Sequence, residues 1–187
     1  MKMKRKLSIV FALMLALTLS SRLEAQTFGA PNEMKGKFVV GGNFNLGIAG
    51  NCFYAGLAPQ AGYRLTRSLE IGARVGYDLK YYWDPYGNYY YHYFAGAVYA
   101  SYEIYSGIFV QVEDEEIGSL FSGTDVNGLK FNWTNSVFVG GGYRQYYDAT
   151  GFAFFSLMYN LSWDPTSVNY TPYGNPFVIR VGFCKGL

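Results

Sequence analysis

From Leu69 to Tyr81 the chain alternates without a break. Every odd position is apolar or Tyr, and every even position is Gly or charged: Glu70, Gly72, Arg74, Gly76, Asp78 and Lys80. A period of two is a β-strand with successive side chains on opposite faces. A water-soluble sheet with its charges outward shows the same alternation, but it has little reason to repeat glycine on the wet face. A narrow closed barrel does have one, because small residues between charges fill a tight polar lumen while the apolar face looks at lipid.

The same parity, with turn residues as punctuation, predicts eight strands. The first, Lys37 to Ile48, sets Phe38, Val40, Phe44 and Leu46 against Asn43, Asn45 and Gly47. The second, Phe53 to Thr66, sets Leu57, Ala61, Tyr63 and Leu65 against Gly56, Gln60, Gly62 and Arg64. Pro59 interrupts it and predicts a local bulge, since proline removes a ladder donor. The third strand is the alternating run above. Tyr91 to Ile104 is the fourth, with Phe94, Val98 and Tyr102 against Ala97, Tyr99 and Glu103. A fifth begins at Ile108, with Gln111 and Glu113 inward, and a sixth spans Asn135 to Tyr147, with Gly140, Gly142 and Arg144 inward. The seventh centres on Phe155 to Leu161 and the eighth on Phe177 to Phe183, where Arg180 points inward.

Tight turns are expected at 66–68, 105–107 and 148–150. Long links are expected at 82–90, 114–134 and 164–175, with the short 49–52 as the exception. Short turns on one side and long loops on the other are the asymmetry of outer-membrane barrels, and they put both termini in the periplasm. Outward aromatics fall at both strand ends: Phe38, Tyr63, Tyr102, Tyr143 and Phe183 at one, and Phe53, Tyr77, Tyr159 and Phe177 at the other. The fold class is therefore all-β, an eight-stranded antiparallel up-and-down transmembrane β-barrel with short periplasmic turns and longer outer loops.

The N-terminus fixes the compartment. Lys2, Lys4, Arg5 and Lys6 precede a run from Leu7 to Leu19 that is nearly all apolar, with Ala25 as a small residue for cleavage. This reads as a secretory signal peptide over 1–25, followed by a short periplasmic segment at 26–36 and the barrel domain at 37–187. Five of the fifteen basic residues and one of the thirteen acids leave with the signal, so the mature chain holds ten basic and twelve acidic residues, a net of −2. The basic balance of the full chain thus belongs to the signal, and nothing suggests a nucleic-acid partner. After the signal no apolar run is long enough for a spanning helix.

Two segments resemble a known family. Leu57-Ala-Pro-Gln-Ala-Gly-Tyr-Arg-Leu-Thr-Arg-Ser-Leu-Glu-Ile-Gly-Ala-Arg-Val-Gly-Tyr77 resembles the second hairpin of small outer-membrane β-barrel domain proteins, and Phe138-Val-Gly-Gly-Gly-Tyr-Arg-Gln145 resembles their sixth strand. These are the OmpX-like and OmpA-barrel-like proteins of the Bacteroidetes type. The resemblance implies an eight-stranded outer-membrane barrel with no shared catalytic residues. One departure is the ending Cys184-Lys-Gly-Leu187 after Phe183, where such barrels usually stop on an aromatic.

Candidate chemistry is sparse. Arg64, Glu70, Arg74, Asp78, Lys80, Glu103, Glu113, Arg144 and Arg180, with Lys37 at the strand 1 entrance, are expected to face the lumen. There they would either line a narrow ion-conducting channel or, in a barrel just wide enough for its own side chains, form a plug of ion pairs. Arg74 is expected to pair with acids such as Glu70, Asp78 or Glu103. The aromatic stretch Tyr81 to Tyr93 supplies the outer-loop binding candidates Trp83, Tyr86, Tyr89 and Tyr90, whose composition suits a surface protein or glycan ligand. His92 is the single histidine and the only handle for a lipid-A-modifying enzyme, which needs a base beside a nucleophile. Cys52 and Cys184 map to opposite ends of the barrel and are expected as free thiols. No metal spacing and no cofactor motif is present. The function expected is non-enzymatic, a structural or surface-interaction role in the outer membrane of a Gram-negative bacterium. The expected partners are outer-membrane lipid, lipopolysaccharide and the barrel-assembly machinery.

Overall fold

The computed structural model describes residues 34–49, 51–85, 87–123, 130–164, 166 and 171–187. The signal peptide expected at 1–25 and most of the 26–36 segment lie outside them. Eight strands follow in order: β1 (Phe38–Ala49), β2 (Cys52–Arg64), β3 (Leu69–Asp84), β4 (Gly87–Tyr105), β5 (Ile108–Gly123), β6 (Lys130–Tyr146), β7 (Gly151–Asn160) and β8 (Phe177–Gly186). Each pairs antiparallel with its neighbours, and β8 returns to β1 through Val39↔Gly186 to Asn43↔Gly182, closing the barrel. This is the architecture that the alternation and the family resemblance both imply.

The alternation in sequence becomes an inside and an outside. Phe38 (63% exposed), Leu46 (70%), Val75 (62%) and Ile179 (58%) lie on the outer face, while Arg64, Glu70, Glu103 and Arg144 are buried within. A water-soluble barrel has the opposite arrangement. Aromatic rings pair across strands near both ends of the outer face, as in Phe38–Tyr63 at 5.0 Å and Tyr159–Phe177 at 5.2 Å.

The short turns sit at 65–68, 106–107 and 147–150. At Tyr105-Ser106-Gly107-Ile108 both central residues take positive φ, 39° and 90°, the mirror-image turn that matches the twist of a two-residue hairpin. At the β6–β7 turn the Asp148 carboxylate accepts backbone N–H groups of Thr150 and Gly151, which holds its pKa below the ordinary aspartate value.

Two expectations need correction. The links expected at 82–90 and 114–134 are largely strand. Asp84 pairs with Gly87 across a two-residue turn, and the β5–β6 ladder runs from Ile108↔Tyr143 to Phe121↔Lys130. Pro59 causes no bulge, because it faces Gly42 in an unshifted register and only the rungs between Leu57↔Tyr77 and Gln60↔Arg74 drop out of the β2–β3 ladder. The register shift lies instead between Glu103 and Tyr105, beside the turn. Among the described residues ahead of β1, Met34 is fully buried in one cluster with Val39, Phe109, Phe152, Phe154 and Cys184, an apolar stopper at the short-turn end.

Candidate functional site

Small residues on the inner wall make room for large ones. The end of the Tyr99 side chain of β4 packs against Gly62 and Gly72, so close that a Cβ on Gly72 would sit 2.5 Å from its ring and 2.6 Å from the Ala61 carbonyl oxygen. That placement carries the Tyr99 hydroxyl 2.9 Å from Glu70 Oε1, to which it donates. Gly72, with Gly62 beside it on β2, is thus a socket for the aromatic side chain of the next strand.

Around this contact the lumen charges form two tiers. Near the short turns, Arg64 meets Glu70 at 3.1 Å and Glu103 at 3.5 Å, and Arg144 meets the same two carboxylates at 3.3 and 3.5 Å. The Tyr146 hydroxyl donates to Glu103 Oε2 at 2.6 Å and accepts from Arg64 at 3.0 Å, and the Gly107 N–H donates to Glu103 Oε1 at 3.0 Å. The Arg144 guanidinium lies 4.5 Å from the Phe109 ring centroid and 5.1 Å from that of Phe152.

The second tier is nearer the long hairpins. Arg74 reaches across the lumen to both Glu113 oxygens and to Glu115 Oε1 at 2.8 Å. Arg180 meets Glu113 Oε2 at 2.7 Å from the other side. Tyr173, on the β7–β8 link, inserts its hydroxyl 2.7 Å from Glu115 Oε2. Each tier holds two arginines and two glutamates, and their side chains are at most 4% exposed. Charges this deeply buried must be matched, and here they are matched within each tier. Between the tiers a void of about 10 Å³ borders Gln60, Glu70, Arg74, Arg144 and Arg180, room for about one water.

Seven of the expected lumen residues therefore come together: Arg64, Glu70, Arg74, Glu103, Glu113, Arg144 and Arg180. The partners of Arg74 differ from expectation, being Glu113 and Glu115 rather than Glu70, Asp78 or Glu103. Lys80 stands apart from both tiers, 5.5 Å over the Tyr93 ring. Asp78 packs against Gly56, also away from the tiers. Lys37 precedes β1 at the rim, where its carbonyl accepts from the Arg64 N–H. Glu115, Tyr146 and Tyr173 were missed. Carrying the parity of β5 two residues past Glu113 reaches Glu115, and two residues past Arg144 lies Tyr146, but nothing local announces Tyr173.

The aromatic stretch does not form one surface. Because β3 and β4 continue as a hairpin, Trp83 and Tyr90 lie on its outer face (39% and 42% exposed), while Tyr89 faces inward and stacks on Phe121 at 6.1 Å. Tyr86 lies outside the described residues. His92 is on the outer face, its Nδ1 2.8 Å from the Tyr77 hydroxyl. Cys52 and Cys184 are both free and buried, and Gln60 donates to Cys184 Sγ at 3.2 Å. Among the described residues no group of three His, Cys, Asp or Glu side chains is placed to hold a metal ion.

No family model and no curated protein matches the chain. Among solved structures, the N-terminal β-barrel domain of Pseudomonas aeruginosa OprF is similar, with a TM-score of 0.48 and 14% identity over 82% of this chain and 98% of that one. A structure from the de novo design of transmembrane β-barrels is similar with a TM-score of 0.38 and 13% identity, covering 82% and 97%. The fold assignment itself rests on the closed strand ladder.

Proposed function

We propose that this chain is a non-enzymatic outer-membrane β-barrel with a structural or surface-interaction role, its lumen plugged by the two tiers of charge. The observation that carries this reading is the inversion of the barrel: four arginines and four glutamates paired in the interior, and an apolar, aromatic-edged outer wall. Water solvates the exposed apolar face poorly, at roughly 25 cal/mol per Å², whereas a bilayer core solvates it well. An eight-stranded lumen filled by its own side chains supports a plug over a channel. The surroundings of His92, which rests on a tyrosine of the outer face, favour a place in the aromatic girdle over acid–base chemistry. In this reading the short turns and the termini are periplasmic, the long hairpins project from the cell, and the partners are outer-membrane lipid, lipopolysaccharide and the assembly machinery. A protein or glycan ligand would meet the hairpin tips. Expression with the native signal followed by membrane fractionation and an unboiled gel tests it: the protein should sediment with outer membranes and migrate differently before and after heating. Recovery as a soluble periplasmic protein without heat-dependent mobility would overturn the reading.

A further inference from the structure

The outer wall carries a groove. It has a volume of about 720 Å³ and runs obliquely from Phe38, the first residue of β1, to Leu161, just past the end of β7. Its course follows one rung of the ladder: Ala61 pairs with Ala73, Ala73 with Val98, Val98 with Asp114 and Asp114 with Val137. Two consecutive alanines on that rung, next to the longer side chains of Tyr63 and Ile71 on one side and Val75 on the other, leave a trough. The volume lies within the roughly 300–1,000 Å³ of small-molecule sites.

The rung also holds a charge that an apolar wall does not explain. Asp114 and, two residues on, Glu116 both project to the outer face. Among the described residues the group that serves them is neutral, the Asn135 side-chain amide, which donates to Asp114 Oδ1 at 2.7 Å and to Glu116 Oε1 at 3.2 Å. Among the described residues neither carboxylate has a salt-bridge partner. The lumen acids at the neighbouring positions, Glu113 and Glu115, each have an arginine, so the difference is one of placement. An ionised carboxylate facing lipid is costly unless a cation meets it. Among the described side chains, the exposed basic residues Lys35, Arg67 and Lys185 lie at the short-turn end, away from this rung.

We infer that the groove is a seat for a membrane lipid with a primary ammonium headgroup, of the phosphatidylethanolamine type. The ammonium sits between Asp114 and Glu116, and an acyl chain lies along the rung over Ala73 and Ala61 toward Phe38. The same two carboxylates repel an anionic headgroup, so the seat selects among lipids as well as holding one. The inference rests on the membrane reading above.

Native mass spectrometry of the barrel released from detergent tests it, with phosphatidylethanolamine and phosphatidylglycerol of identical chains added in equal amounts. The wild-type protein should retain the ethanolamine lipid in about tenfold excess, the scale of a charge-assisted hydrogen bond in place of a repulsion. Asp114→Asn with Glu116→Gln should bring the ratio to unity. Ala73→Leu, which fills the trough and leaves the acids, should lower retention of both lipids. A photoreactive side chain at Val98 should crosslink to lipid in whole cells. Each variant is first shown to keep its heat-dependent gel shift, so loss of folding is read separately. Equal retention by the wild-type protein, a preference that survives loss of both acids, undiminished binding to the filled groove, or crosslinking at Val98 to a protein instead of lipid would each overturn the seat. A barrel that inserts and folds but shows no preference defeats this inference alone. A chain that never enters the membrane defeats the membrane reading.

Discussion

At the scale of residues, the decisive fact is that each buried charge is shared. Arg74 holds Glu113 and Glu115 together, and Glu113 also has Arg180 while Glu115 also has Tyr173. Arg74→Leu leaves two carboxylates to divide what remains. Breaking a buried pair from one side costs about 3–5 kcal/mol, so the temperature at which the folded band disappears from an unboiled gel should fall clearly. Adding Glu115→Leu should recover part of that loss, because the orphaned carboxylate goes with its partner. A neutral Arg74→Leu would mean that the charged face is wetted and the lumen is not dry. That these residues point inward was legible from parity alone. Which acid meets which arginine was not, because Arg74 reaches across the lumen to β5, some 40 positions along the chain, and no local spacing encodes that distance. Tyr173 was illegible for a related reason: it reaches the second tier from a link with no period to follow.

At the scale of elements, strands were read correctly where polar and apolar residues separate cleanly and were cut short where they do not. Asp114-Glu115-Glu116 puts acids on both faces of β5, and the tyrosines between Tyr81 and Tyr93 occupy both faces of the β3–β4 hairpin. Both stretches look like loops by composition, yet both keep their backbone pairing, because ladder hydrogen bonds are indifferent to side-chain polarity. Gly62 and Gly72 were legible as lumen residues, but their use as a socket emerges only from the register. Gly72 faces Tyr99 directly across the β3–β4 ladder. Gly72→Ala forces its new methyl into the Tyr99 ring and the Ala61 carbonyl, and overpacking of this kind costs about 1–3 kcal/mol. The folded band should melt at lower temperature. Gly96→Ala, at a position on the outer face with nothing within 4 Å of the added carbon, should be close to silent. Equal effects of the two changes would show that Tyr99 is free to move aside.

At the scale of the whole molecule, an apolar stopper closes the short-turn end, two neutral tiers of ion pairs fill the middle, and hairpins β3–β4 and β5–β6 rise beyond the rest of the wall. Eight strands and their closure were legible from the period of two. The groove was not, since it needs Ala61 and Ala73 to fall on one rung, and that is a property of register. The central claim is that the outer face meets lipid, and spin-label accessibility measures it most directly. Nitroxide labels are placed at Val75 and at Ile179, both exposed on the outer wall, and at Lys185 near the β6–β7 turn, with Cys52 and Cys184 replaced by alanine. In reconstituted vesicles the labels at 75 and 179 should collide readily with oxygen and hardly at all with a water-soluble nickel chelate, while the label at 185 should show the reverse. Nickel contact at Val75 and Ile179 equal to that at Lys185 would put the apolar face in water and contradict the account.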